Sequence, residues 1–151
     1  METGSTYTLS ARLYHPKRVP GAGSQGELSQ PRVPIWLESI RERCSVLAML
    51  PTNWDTYGAP PIPVATIQAA VGLLSRIVGP GLPAPEVFPT PKGGLQFEWK
   101  VGRKAFEVEI LAPGRVAALF VDEGAGSEWE DEFNSDLTRV VQTLASLVPA
   151  P

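Results

Sequence analysis

The stretch PKGGLQFEWKVGRKAFEVEILAPGRVAALFV, Pro91 to Val121, decides how this chain is read. Leu95, Phe97 and Trp99 alternate with Gln96, Glu98 and Lys100. Past Gly102-Arg103, Phe106, Val108 and Ile110 alternate with Glu107 and Glu109. Alternation of aromatic and aliphatic residues with polar ones, punctuated by glycine and proline, marks half-buried strands. Pro113-Gly114 supplies a second turn. Val116 to Val121 is apolar on both parities, which predicts a strand with both faces partly covered. The stretch therefore reads as three antiparallel strands joined by two tight turns.

The same residues set a register. A two-residue turn with Gly102 in first position puts Trp99 opposite Phe106, Phe97 opposite Val108 and Leu95 opposite Ile110. All the large apolar groups then share one face. A slip by one residue would set Phe106 against Glu98, so the pattern itself favours this pairing. On the reverse face Glu98 meets Glu107, and Gln96 meets Glu109.

Working outward, Glu86–Pro89 and Glu128–Phe133 read as further short strands, giving a meander of four to five. Upstream, Pro34 suits the first turn of a helix whose apolar side is Trp36, Leu37, Ile40, Cys44, Leu47 and Ala48, ending before Pro51. Pro63 opens a second helix with a broad stripe of Ile67, Ala70, Val71, Leu74, Ile77 and Val78. Gly79-Pro80-Gly81 reads as its glycine cap and stop. A third helix is expected from an N-cap at Asn134 or Ser135, with Asp136 in its first turn. Its face is Leu137, Val140, Val141, Leu144 and Leu147. Two helices, a run of strands and a last helix imply an α+β fold: an antiparallel meander with three helices packed mainly on one face.

Residues 1–33 differ in composition. They are rich in Gly, Ser, Pro and Gln, with Arg12, Lys17, Arg18 and Arg32 against Glu2 and Glu27. The expectation is a flexible arm, with one strand-like stretch at 6–14 where Tyr7, Leu9, Ala11 and Leu13 alternate with polar residues. Residues 34–149 are expected to form a single domain. At 151 residues and a net charge of −3 the composition is that of a soluble globular protein, and it offers no basic surface for nucleic acid. The single Cys44 cannot form an internal disulfide. Without a membrane-length apolar run or a signal-peptide core, a cytoplasmic location and no membrane partner are expected.

Two places stand out as candidate binding sites. The first is the polar sheet face of Glu98, Glu107 and Glu109, which Glu128, Glu130 and Glu132 could extend. Such a surplus of carboxylates suits a basic protein partner or, less specifically, a hard cation such as Mg²⁺. The bland reading is a solvated face that keeps the sheet soluble. The second is the loop Asn53-Trp54-Asp55-Thr56-Tyr57-Gly58-Ala59-Pro60-Pro61. Here Asp55 can form an Asx-type turn, while Trp54 and Tyr57 either plug the gap between helices and sheet or belong to a recognition surface.

The Trp54-Asp55-Thr56-Tyr57-Gly58-Ala59-Pro60-Pro61 loop and the later Gly93-Gly94-Leu95-Gln96-Phe97-Glu98-Trp99 strand together resemble a group of short bacterial proteins. Those share a Trp-Asp-x-Tyr-Gly-Ala loop and a Gly-Gly-x-Gln-x-Glu-Trp strand. Thr56 stands at the variable position, where glycine is expected. The resemblance implies a bacterial or mobile-element origin and a compact domain, with no activity to carry over.

Catalytic templates find little here. The sole histidine, His15, lies in the arm, Cys44 sits on the apolar side of a helix, and no glycine-rich loop carries the lysine that phosphate cradling needs. The functional expectation is a non-catalytic, cofactor-free protein-binding module, with Trp54, Asp55, Tyr57, Glu98, Glu107 and Glu109 as its contact residues. Inhibitor, antitoxin-like or accessory roles in a bacterial defence or mobile-element system fit it. The alternatives are a carboxylate-based, Mg²⁺-dependent hydrolase and a structural homo-oligomer assembled through the arm.

Overall fold

Alternation produces one sheet. In the computed structural model, which describes residues 33–150, five strands follow one another in chain order: β1 Glu86–Pro89, β2 Leu95–Val101, β3 Lys104–Ala112, β4 Arg115–Asp122 and β5 Ser127–Phe133. Each pairs antiparallel with its sequence neighbours in the order β1-β2-β3-β4-β5. Three helices, α1 Leu37–Leu47, α2 Val64–Ile77 and α3 Thr138–Leu147, complete an α+β fold. The expected arm and its strand at 6–14 lie outside the described residues.

The β2–β3 register is the expected one: Trp99 faces Phe106, Phe97 faces Val108 and Leu95 faces Ile110. Gly102 has φ +59 while Arg103 keeps a negative φ, as a turn with glycine in first position requires. Phe97, Trp99, Phe106, Val108 and Ile110 are buried almost completely, and Trp99 stacks on Phe106 with ring centroids 6.3 Å apart. At the second turn Gly114 has φ +77, and the ladder shifts between Ile110 and Ala112, leaving Leu111 as a bulge.

The helices lie on the apolar face. α1 packs beside β1, α2 on β2 and β3, and α3 on β3. Two indoles hold the connection between α2 and β1: Trp36 Nε1 donates to the Leu82 carbonyl (2.8 Å) and Trp99 Nε1 to that of Pro83 (3.0 Å). Both indole N–H groups, one on a partly covered and one on a fully covered side chain, thus find acceptors in a loop that otherwise lacks regular partners. No described helix is long and apolar enough to cross a membrane.

Helix ends depart from expectation in three places. Pro34 precedes α1 rather than opening it; its carbonyl accepts the Leu37 N–H in a preliminary turn (3.0 Å). α2 leaves helical geometry at Val78 (ψ 140), before any left-handed glycine cap, and the positive φ falls on Gly81 instead. Gly79 precedes Pro80, whose ring disfavours a helical conformation there. α3 begins at Thr138, later than Asn134 or Ser135: the N-cap position falls on Leu137, whose side chain makes no capping bond, and the Asp136 carboxylate one residue earlier accepts the Thr138 N–H (3.0 Å). Val141, expected inside, is 42 % exposed, and Thr143 takes the inward place. Tyr57 does not plug the gap between helices and sheet: it is 92 % exposed, whereas Ala59 and Ile62 are buried.

Glycine is required at one tight approach. A Cβ on Gly94 would stand 2.6 Å from the Ile110 carbonyl oxygen and 2.8 Å from Thr90 Oγ1, the hydroxyl that accepts the Gly94 N–H. Gly72, inside α2, has nothing within 4 Å of that position. Gly94→Ala is therefore expected to destabilise the fold by about 1–3 kcal/mol through overpacking. Gly72→Ala is expected to stabilise it by up to about 1 kcal/mol through helix propensity. Urea unfolding of the two variants beside the parent chain measures both.

Candidate functional site

The pleat that buries the aromatics turns the alternate residues to the opposite side. No described helix covers that side. Antiparallel pairing then lines residues up across the strands. One row runs Glu86, Glu98, Glu107, Leu119, Glu130 from β1 to β5, so four of its five members are glutamates. The next runs Phe88, Gln96, Glu109, Ala117, Glu132. Neighbours in such rows stand roughly 4.5–5.5 Å apart at Cβ. At roughly 4.8 Å per strand, a row extends about 19 Å across the sheet.

Few cations answer these carboxylates. Lys100 Nζ lies 3.5 Å from Glu98 Oε2, and Arg115 reaches Glu132 at 3.5 Å. Gln96 Nε2 donates to Glu98 Oε1 (2.8 Å), which fixes that carboxylate from the same strand. Glu107 has no such partner among the described residues. Partial burial raises its pKa above the ordinary glutamate value; Glu98 adds to the rise, Lys100 opposes it and Glu109 adds again. Ala117, Leu119 and Val121 of β4 are only half-covered on this side, forming a narrow apolar strip between two bands of glutamate. The expected coverage of both faces of β4 is thus partial.

The loop before α2 is built by a different device. Asp55 Oδ1 accepts the N–H groups of Tyr57 and Ala59, each at 2.9 Å. Those bonds, that to Ala59 foremost, hold the Asp55 carboxyl below its ordinary pKa. Asn53 Oδ1 accepts the Gly58 N–H (2.7 Å), the Asn53 N–H donates to the Ala59 carbonyl (2.7 Å), and Trp54 Nε1 donates to that of Pro60 (3.1 Å). Asn53 (φ 63) and Thr56 (φ 65) both adopt left-handed backbone, uncommon for a threonine and braced here by this bonding. Asp55 thus does the structural work expected of it, and the loop carries Tyr57 outward on a braced frame. The six sequence-derived candidates divide between two surfaces: Glu98, Glu107 and Glu109 on the sheet, Trp54, Asp55 and Tyr57 on the loop.

Neither place is a closed reaction centre. Among the described residues, no three His, Cys, Asp or Glu side chains stand close enough to hold a metal ion. A cleft of about 280 Å³ between α2, the β3–β4 turn and the segment before α3 is lined by Leu73, Ile110, Val116, Arg76 and Asn134 among others, and by no carboxylate. Cys44 is fully buried, and burial pushes its thiol up to about 11 against a weaker pull from Arg43. A thiol in that state is a poor nucleophile.

Glu86 escaped the sequence reading. Its place beside Glu98 depends on the register across the 90–94 loop, where no two-residue turn fixes the count. The signal lay in Val87, the single apolar residue of β1 that has to face inward beside Phe97. Compared with protein-family models, curated proteins and solved structures, the chain matches none.

A carboxyl with a raised folded-state pKa binds its proton more tightly when folded. Its contribution to stability grows as pH falls through that folded pKa, and above it the charged group opposes folding. Glu107→Gln is therefore expected to stabilise the chain at neutral pH by roughly a few tenths of a kcal/mol, the scale of opposed like charges across a strand pair. The gain should vanish in acid. Urea midpoints at pH 7 and pH 4 check both statements.

Proposed function

We propose that this chain is a small protein-binding module, without a catalytic centre of its own, whose uncovered sheet face receives a basic partner. The observation that carries this reading is the row of Glu86, Glu98, Glu107 and Glu130 across the sheet. Like charges set side by side cost stability and add nothing to the core. Arginine and lysine brought by a partner would neutralise them, and their field would steer its approach. The reading prefers a surface to a metal centre because these carboxylates stand in a line and not around a point. Together with the bacterial resemblance, it suits an inhibitor, an antitoxin-like protein or an accessory protein of a defence or mobile-element gene pair.

A second reading rests on Tyr57. A tyrosine 92 % exposed on a braced loop can dock with little backbone ordering, leaving only its side-chain rotamers to fix, and aromatic anchors are frequent centres of binding energy. The two readings place the partner on different surfaces.

Capture from the cells that encode the chain, with the parent protein, Glu98→Lys/Glu107→Lys and Tyr57→Ser as baits, tests them together. The expected result is a basic protein retained by the parent and by Tyr57→Ser, lost with the double charge reversal and released as salt rises. Retention by the charge-reversed bait, with circular dichroism unchanged, would sink the acidic-face reading. Loss with Tyr57→Ser alone would put the loop in its place.

A further inference from the structure

The two edges of the sheet are built differently. β1 is four residues long and ends in Pro89, so that edge is short and partly closed to hydrogen bonding. β5 runs seven residues, Ser127–Phe133, without proline or glycine, and no described strand pairs with its outer side.

Which backbone groups β5 offers follows from the ladder. A two-residue turn closes on a hydrogen-bonded pair, so Val101 and Lys104 exchange bonds, and so do Trp99 and Phe106. Alternation then gives Ala105, Glu107 and Glu109 to β4, and Ser127, Trp129, Asp131 and Phe133 of β5 also bond to β4. The N–H and C=O groups of Glu128, Glu130 and Glu132 are left pointing away from the sheet. One side-chain contact agrees: Asp131 Oδ1 accepts the Glu132 N–H at 2.9 Å, as it could not if that group served the ladder. The outward backbone groups thus belong to the residues whose carboxylates line the uncovered face.

From this coincidence we infer that β5 is a strand-addition site for an extended segment of a basic partner, with Lys or Arg at alternate positions and apolar residues between them. The inference rests on the basic-partner reading and states how such a partner would be held. Cations opposite Glu128, Glu130 and Glu132 would lie on the carboxylate face. The intervening residues would lie beside Trp129 and Phe133, which are half-buried and in mutual contact at 6.0 Å. Arg139 stacks over Trp129 at 4.0 Å and pairs with Asp131 at 3.7 Å, so the inner side already holds a cation and suits apolar residues better than further charge. Backbone bonds give such a complex its affinity and the alternating side chains its selectivity. A second copy of this chain is a poor occupant. Antiparallel pairing of β5 with itself about Glu130 sets Glu130 against Glu130 and Glu128 against Glu132, and opposed like charges reject it.

The test uses the full chain and a short peptide of alternating lysine and valine, long enough to span β5, beside the same peptide N-methylated on the amides of one edge. Hydrogen exchange is followed residue by residue. The expected result is slowed exchange at Glu128 and Glu130 with the parent peptide. N-methylation should weaken binding by roughly tenfold or more, the loss of about two hydrogen bonds. Equal binding of the two peptides with unchanged exchange in β5 would overturn the strand-addition site while leaving face docking intact. No binding of the parent peptide would overturn it as well, and the capture experiment with charge-reversed bait would still judge the basic-partner reading. Slow exchange at these amides in the chain alone, whether constant or rising with protein concentration, would mean that the edge is already taken, and would overturn it too.

Discussion

Everything on both sides of the sheet depends on the pairing of β2 with β3. Trp99 on Phe106, Phe97 on Val108 and Leu95 on Ile110 form the apolar floor on which α1, α2 and α3 settle. The same pairing brings Glu98 to Glu107 and Gln96 to Glu109 on the reverse. Period two leaves no freedom to have one without the other. The acidic face is thus tied to the core: the strand pairing that buries the aromatics also fixes where each carboxylate points.

The helices answer that floor unevenly. They concentrate on β1 to β3, and β5 receives little more than the Arg139 guanidinium over Trp129. A chain of aromatic contacts carries the core outward from Trp99 through Phe106 and Phe120 to Trp129 and Phe133, with successive centroids 6.0–6.3 Å apart. Packing therefore thins toward β5. That strand is held chiefly by its ladder with β4 and by this aromatic chain, which leaves its backbone edge and its glutamates accessible together.

Much of this was legible in the residues. Alternation and Gly102 were enough to fix the central hairpin, because a two-residue turn removes the freedom to slip. What escaped was set by backbone geometry that composition hides. In Asn53-Trp54-Asp55-Thr56-Tyr57 the hints of positive φ were slight, an asparagine and a threonine standing where glycine was expected, and they did not tell that Tyr57 points to solvent while Ala59 goes inside. The start of α3 moved as well: Asn134 and Ser135 carry cap-forming side chains, yet the N-cap position falls on Leu137, which has none, and the Asp136 carboxylate accepts the Thr138 N–H from one residue earlier. Glu86 was missed because a five-residue connection from Pro89 to Leu95 leaves the register of β1 undetermined until Val87 is seen against Phe97.

Strand order that repeats chain order also bears on how the molecule forms. Each strand meets its partner across a short connection, so each closure costs little chain entropy and the sheet can zip from the β2–β3 hairpin in either direction. α1 and α2 precede every described strand in the chain, so until that zipper has run they have each other but no sheet to cover. Their apolar stripes, Cys44 among them, are the surfaces a nascent chain must shield longest.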